Sequence, residues 1–423
     1  MSIAIVVGAN WGDEGKGRMV DYLAQDADFV VRYQGGNNAG HTVVNDHGEF
    51  KLHLLPSGVF NPKAVNVLGP GMVIDIEELA DELDDLKGRG FDPHLRVSER
   101  ATICFPFHRE QDGWEEERLG KHAYGSTRRG IAPAYGDRTM KKAIQVGELL
   151  FPERLETRLR QLVDWKNLTA SGIYGKPDAC SFEETLEWAH TQGERIRPLI
   201  CDTCTLLDEG AKAGKKILFE AQLGTLRDLN FGIYPFTTSS CTLAAYAPIG
   251  GGLFGRSPDR VLAVIKAFST CVGEGPFVTL MDEEEGNAMR EKAKEYGAAT
   301  GRPRTIGHFD GLASRFGVWA QGATEVAVTK LDSLSGQKTL KLCVDYEYQG
   351  KPVGRFPLNA VLEEATPIYK EMPGWDEDIS TVRRFGDLPK TAQDYVDAIE
   401  RLVECRVRYV SVGPERDALI DRG

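Results

Sequence analysis

Between an apolar run, Ile3 to Val7, and a helical pattern carried by Met19, Val20 and Leu23 lies the segment Gly8-Ala9-Asn10-Trp11-Gly12-Asp13-Glu14-Gly15-Lys16-Gly17-Arg18. Glycines there let backbone N–H groups crowd around a polyphosphate, the N-terminus of the following helix favours an anion, and Lys16 supplies a point cation. The segment predicts a nucleoside triphosphate site. It is not the common Gly-x4-Gly-Lys-Ser/Thr loop, because Asn10 occupies the first glycine position and no hydroxyl follows the lysine. Magnesium then needs another ligand, and Asp13 is the candidate. A carboxylate this close to phosphate can also take a proton from a nucleophile, so one side chain can serve both roles.

Further chemistry-bearing stretches follow other apolar runs. Gln34-Gly35-Gly36-Asn37-Asn38-Ala39-Gly40-His41-Thr42 combines close backbone approach, two amides and an imidazole. His41 reads as a general acid, against the alternative of a turn histidine bonded to backbone. Thr329-Lys330-Leu331-Asp332 has the pattern of a guanine reader. A carboxylate accepts from both N1–H and the 2-amino group of guanine, a donor pair that adenine lacks, while a lysine stem covers the base face. Ser411-Val412-Gly413-Pro414 is placed to close over the same base. Gly297 to Arg304 puts Arg302 and Arg304 beside a glycine-rich turn, a clamp for an acidic substrate. Gly125-Ser126-Thr127-Arg128-Arg129-Gly130 and Lys141-Lys142 read either as a holder of a nucleotide monophosphate or as solvated loops.

The elements that must position these residues are short β-branched or apolar runs: Ile3 to Val7, Phe29 to Val31, Val65 to Leu68, Ile217 to Phe219, Val261 to Ile265, Val326 to Val328 and Tyr409 to Val412. Helical patterns separate several of them, which predicts a mainly parallel sheet covered by helices. The last helix is expected to begin with Thr391 and Asp394 as a capping box and to bury Tyr395, Ile399, Leu402 and Val403. From 107 to 207 strand signals fade, and a helical insertion within a single domain spanning 1–423 is expected. Ser181 and Glu184 form a second capping box, and Leu155, Leu159, Leu162 and Val163 one apolar stripe. A net charge of −12 disfavours a broad nucleic-acid or anionic-membrane surface, and no apolar run approaches a membrane span. Eight scattered cysteines read as reduced thiols, and Cys201 and Cys204 as two of these one helical turn apart.

Taken together these stretches resemble the adenylosuccinate synthetase family nearly end to end. Trp11 to Gly17, Gly35 to Thr42, Gly130-Ile131 with Pro133-Ala134-Tyr135, Gly232 with Tyr234-Pro235-Phe236, Thr300 to Arg304, Thr329 to Asp332 and Met372 to Trp375 carry the likeness. The resemblance implies an α/β fold: a large P-loop-NTPase-like domain with a central, mainly parallel sheet flanked by helices. It also implies a cytoplasmic homodimer that uses GTP and Mg2+ to join IMP to L-aspartate in AMP biosynthesis. By position it implies Asp13 as general base and metal ligand, His41 as general acid, Lys16 as a stabiliser of the moving charge, and Gly40 as a carbonyl ligand to the metal. GTP contacts are implied for Gly12, Asp13, Glu14, Gly15, Lys16, Gly17, Arg18, Gly40, His41, Thr42 and Arg304, with guanine held by Lys330, Leu331, Asp332, Ser411, Val412 and Gly413. The purine nucleotide falls to Asn38, Ala39, Thr127, Lys141, Leu223, Thr238 and Arg302. Aspartate falls to Ala298, Ala299, Thr300, Gly301, Arg302, Pro303 and Arg304.

The chain departs from the family pattern around the acceptor. Arg128 and Ala132 stand where glycines are usual, and Leu223 stands where a glutamine is expected, with Gln222 one place early. Lys141 replaces an arginine lent by the second subunit, Ala299 a threonine and Thr305 an arginine. These changes leave open a paralogue that aminates a deoxy or modified 6-oxopurine nucleotide. Phage relatives acting on dGMP typically lose the carboxylate at position 13, and its retention here favours IMP or a close analogue. A GTP-binding regulator without ligase activity is the alternative of a different class, and it has no use for an aspartate clamp.

Overall fold

The structure is a computed structural model that describes residues 2–38, 40–45, 48–297 and 301–423. Its centre is a ten-stranded sheet whose strands, labelled β1 to β10 in chain order, are Ser2–Gly8, Phe29–Arg32, Val65–Leu68, Leu95–Ser98, Ile200–Cys201, Lys216–Gly224, Arg260–Lys266, Glu325–Thr329, Val407–Ser411 and Leu419–Asp421. Their spatial order is β10-β9-β8-β7-β1-β6-β2-β3-β4-β5. All neighbours run parallel except β10, which returns antiparallel along β9. Every expected apolar run lies in this sheet.

A parallel strand covered on both faces must be apolar on both. In β1, Ile3, Ile5 and Val7 join the larger core, while Val6 packs with Met19 and Val20 of the helix Lys16–Ala24 on the other face. Because β1 is followed on one side by β6 and β2 and on the other by β7, β8 and β9, the connections diverge at its carboxyl end. A crevice opens at such a switch point. The loops after β1, β2, β6, β8 and β9 all meet there, and they carry the predicted site.

Four helices, Pro106–Leu119, Ile131–Thr139, Pro152–Tyr174 and Phe182–Ile196, fill most of the chain between β4 and β5. Ser181 caps the last of them, its side chain accepting the Glu184 N–H at 3.3 Å. Two local expectations are corrected. The helix Lys390–Val403 starts one residue before Thr391, with Pro389 at the N-cap, because the fixed φ of proline already sets the entry and the Pro389 carbonyl accepts the Gln393 N–H at 3.0 Å. Cys201 and Cys204 do not share a helix: Cys201 closes β5, and Asp202 caps the helix Thr203–Lys212 through the N–H groups of Cys204 and Thr205.

Candidate active site

After β1 the chain folds into a tight loop with Gly12, Asp13 and Gly15 at φ of 103°, 58° and 95°. Glu14 was expected at the nucleotide, but it turns its carboxylate inward instead. It accepts the N–H groups of Asn10 and Gly12 at 3.1 and 2.9 Å and pairs with Lys16 Nζ at 2.6 Å. Only glycine permits this seat, since a Cβ on Gly8 or Gly224 would lie 2.5 Å from a Glu14 carboxylate oxygen. From the end of β8, Thr329 Oγ1 donates to the Glu14 carbonyl at 2.5 Å and fixes the loop to the sheet. Lys16 then opens the helix whose N-terminus faces the crevice.

Two cavities meet over this loop. One, of about 930 Å³, runs from Gly15, Lys16, Gly17 and Arg18 past His41 and Thr42 to Lys330, Asp332, Ser411 and Gly413. The other, of about 490 Å³, is lined by Asn38, Thr127, Ala132, Thr238 and Arg302 among others. Asp13, Gly40, Leu223 and Gly297 line both. The carboxylate singled out by sequence therefore stands at the junction.

Asp13 is held there by Arg304, whose Nε and Nη2 lie 3.0 and 2.9 Å from Oδ2. Arg304 also pairs with Glu295, a fully buried carboxylate that binds Lys266 at 2.8 Å and Lys330 at 2.9 Å. The expected pair of arginines is thus divided: Arg302 borders the smaller cavity, whereas Arg304 is only 8% exposed and lies against Asp13. Burial, with the Arg304 and Lys330 charges nearby, brings the Lys266 ammonium down to about 8, and Glu295 opposes that fall.

His41 lies against Gly17, whose missing Cβ would be 2.9 Å from the imidazole. Its buried Nε2 has no hydrogen-bond partner among the described residues and sits 3.6 Å from Glu220. Burial, followed by the charges of Arg32, His53 and Lys16, lowers its pKa well below the usual range, so the ring is neutral. Near the far end of the larger cavity the Asp332 carboxyl is raised by burial, while Lys330 and Arg18 pull it back. Arg18 bonds Ser411 and, at 2.6 Å each, the carbonyls of Glu415 and Ala418, tying this loop to the first helix.

Some residues expected at the site have side chains away from the cavities or lie beyond them. Leu331 and Val412 are fully buried and belong to the core, so their side chains do not reach the cavity. Gly12 lies under Leu223, with a hypothetical Cβ only 3.2 Å from that side chain. Pro303 pairs with Tyr296 at the neck of its loop. Lys141 follows the helix Ile131–Thr139 at φ 63°, exposed and outside both cavities, so within one chain it does not touch the site. Ala39, Ala298, Ala299 and Thr300 lie outside the described residues.

Around Leu223 the register between β1 and β6 slips, Val6 pairing with Glu220 but Gly8 with Gly224. This bulge turns Leu223, at φ 60°, into both cavities, whereas Gln222 borders only the larger one. The Gln222 amide is engaged at both ends: Oε1 accepts from Arg32 at 2.6 Å and from the Gly36 N–H at 3.1 Å, and Nε2 donates to Asn38 at 2.7 Å. Sequence reasoning missed Glu295, Lys266 and Glu220. Lys266 ends a buried strand as Lys330 follows one, a signal that was available; Glu295 follows a highly charged helix, Glu283–Ala293, and looks there like one more solvated acid.

The sequence matches the adenylosuccinate synthetase family over residues 5–420. It is 51% identical to adenylosuccinate synthetase 2 of Pseudoalteromonas translucida over the whole of both chains, and 45% identical to the adenylosuccinate synthetase of Caldanaerobacter subterraneus over 99% of each. The fold superposes on a fully ligated adenylosuccinate synthetase from Plasmodium falciparum with a TM-score of 0.93 and 33% identity, covering both chains completely. The chain belongs to the adenylosuccinate synthetase family. It is therefore a ligase that forms a C–N bond and uses GTP. The succinoaminodeoxyadenylate synthetase of cyanophage S-2L shares the fold, with a TM-score of 0.61 and 18% identity over 99% of this chain and 95% of the phage chain.

Against the adenylosuccinate synthetase pattern, Arg128 adopts φ 56°, a conformation that explains the usual glycine there. Ala132 adds its methyl group to the wall of the smaller cavity. Among the described residues no helix is long and apolar enough to cross a membrane.

Proposed function

We propose that this ligase joins L-aspartate to C6 of IMP in AMP biosynthesis, with GTP seated in the larger cavity and IMP in the smaller. The observation that carries the assignment is Asp13 lining both. Asp13 takes the N1 proton of the purine, and oxygen 6 then attacks the γ-phosphorus of GTP as GDP leaves. Lys16 neutralises charge on the phosphoryl oxygens, and the unpartnered Nε2 of His41 is available to donate to them. The aspartate amine next attacks C6 and inorganic phosphate departs with the former oxygen 6. Arg302 is suited to a substrate carboxylate.

The donor set fits Mg2+. Asp13 Oδ1 has no protein partner among the described residues, and Gly40, whose carbonyl would be the second ligand, belongs to the same wall. No group of three or more His, Cys, Asp or Glu side chains gathers as a metal cage among the described residues. Magnesium commonly takes one or two protein oxygens and completes its shell with phosphates and water. When bound it would neutralise charge on the triphosphate.

A cytoplasmic homodimer, in which Lys141 is lent to the partner's nucleotide, completes the reading; the exposure of Lys141 outside its own cavities supports it. A second acceptor is favoured by one observation: Leu223 presents an apolar side chain where the family offers an amide, and Gln222 is already satisfied elsewhere. The test is phosphate release from GTP, Mg2+ and L-aspartate with IMP, dIMP, GMP and dGMP in turn. Aspartate-dependent release with IMP supports the assignment, preference for another member of the panel replaces the acceptor, and failure of all four overturns the ligase reading.

A further inference from the structure

The ion chain beneath Asp13 joins parts of the molecule that would meet different substrates. Glu295 is completely buried and receives cations from three segments: Lys266 at the end of β7, Lys330 just after β8, and Arg304 beyond the loop that carries Arg302. The backbone adds to this, because the Arg304 N–H donates to the Glu295 carbonyl at 3.0 Å and Gly297 N–H to the Arg302 carbonyl at 2.8 Å. Glu295 thus stands at the neck of the loop as well as at the centre of the charges. Three cations face two carboxylates, Glu295 and Asp13, and the one positive charge left over favours a bound polyphosphate.

A buried carboxylate with this many partners is costly to desolvate and would be poorly tolerated as mere packing. Its geometry is also specific. Arg304 spends Nη1 on Glu295 and both Nε and Nη2 on Asp13, so the position of the planar guanidinium fixes both carboxylates together. Lys330, which donates to the Ala293 carbonyl at 2.6 Å and is ion-paired with Glu295, can change its place over a base only by altering that ion pair.

We infer that Glu295 is a positioning residue that links Lys330 on the guanine side to the catalytic carboxylate Asp13 through Arg304. The inference rests on the functional reading above, in which Lys330 covers guanine and Asp13 abstracts the purine proton. Guanine engaged by Lys330 is then reported to Asp13 by a chain of three ion pairs rather than by movement of the sheet.

The experiment is a double-mutant cycle in the full-length protein, Glu295→Gln with Lys330→Met, measured as kcat and KM for aspartate-dependent phosphate release. Glu295→Gln lowers kcat about tenfold to a hundredfold, the scale of a misplacement near 1 Å, with the KM for IMP within about threefold. Lys330→Met lowers kcat and raises the KM for GTP in the wild-type background, but only raises that KM once Glu295 is neutral. Multiplicative losses in kcat would overturn the link, as would a Glu295→Gln variant with wild-type kcat. Where Glu295→Gln fails to fold, Glu295→Asp replaces it: the shorter acid keeps the charge, and the same cycle with Lys330→Met must again be non-additive in kcat. Activity of the wild type is the control that separates the two ideas, since an inactive wild type rejects the ligase assignment and an active one with an additive cycle rejects only the role of Glu295.

Discussion

Arg304 and Asp13 meet at one oxygen: Nε and Nη2 of the arginine lie 3.0 and 2.9 Å from Oδ2, leaving Oδ1 without a protein partner among the described residues. One half of the carboxylate is thereby anchored and the other remains available for a proton or a metal. Asp13→Asn keeps the anchor oxygen but supplies a neutral amide in place of the basic oxygen. Turnover is expected to fall by about 10³-fold or more, within the range for loss of a general base together with a metal ligand. GDP affinity, measured by calorimetry without magnesium, should stay within about threefold, because the base-reading residues are untouched. Substantial residual turnover would remove Asp13 as the base.

At the other end of the larger cavity, Asp332 is the residue proposed to read the base, and its half-buried carboxylate accepts from no other side chain among the described residues. Asp332→Asn can still accept from N1–H through its amide oxygen, but its NH2 group faces the 2-amino donor of guanine, whereas it matches the 2-carbonyl acceptor of xanthine. The ratio of kcat/KM for GTP over xanthosine triphosphate should fall by about 10²-fold or more, as expected when a buried donor–acceptor pair is mismatched. An unchanged ratio would defeat the base-reading assignment.

The parts of this site that were legible in sequence lie on loops directly following apolar strands. There the run of Ile3 to Val7 or Val326 to Val328 marks the strand, and the residues after it must emerge at the carboxyl edge of the sheet. Asp13, His41, Lys330 and Asp332 were singled out this way, and all four line the larger cavity. Residues whose roles depend on contacts between distant segments were not: Glu295 meets Lys266 and Lys330 only after two strand ends and the segment following a helix have been brought together. Glu14 illustrates a subtler limit, because its spacing within the loop suits a nucleotide contact, yet its carboxylate lies in the space left by Gly8 and Gly224. Pro389 displaced Thr391 from the helix cap for a local reason, the preset backbone angle of proline, that pattern matching passed over.

Behind the smaller cavity, His108 anchors one of its walls. The ring accepts the Phe105 N–H at Nδ1, 3.0 Å away, and donates from Nε2 to Asp137 at 2.9 Å, while Lys166 pairs with the same carboxylate at 2.5 Å. Burial lowers the His108 pKa from 6.5 to about 4, although the Asp137 bond opposes the shift, and a proton on Nδ1 would also face the Phe105 N–H. The folded state therefore binds this proton less readily than the unfolded chain. The corresponding stability is present above pH 6.5, declines as the pH falls, and is lost through about 4. At pH 5 the loss relative to pH 7 is about 2 kcal/mol. Urea unfolding at the two pH values should show that difference between the wild type and His108→Gln, which has no titrating ring; equal pH dependence in the two proteins would exclude His108 as its source.

Lys141 gives a test of the dimer that needs no structure of it. The side chain is exposed and far enough from its own cavities to line neither, so a contribution to the nucleotide site must come from another copy. Lys141→Leu and Asp13→Asn should each be nearly inactive as homodimers at subsaturating IMP. In a mixed dimer, one site carries both changes and the other carries neither, since its own Asp13 is intact and its partner supplies Lys141. Random exchange makes half of the dimers mixed, so equal mixing should restore about one quarter of wild-type activity under twofold symmetry. Restoration should disappear when the two changes are placed in the same chain and that chain is mixed with itself. No recovery from the separate variants, under conditions where labelled subunits are seen to exchange, would confine Lys141 to a role within its own chain.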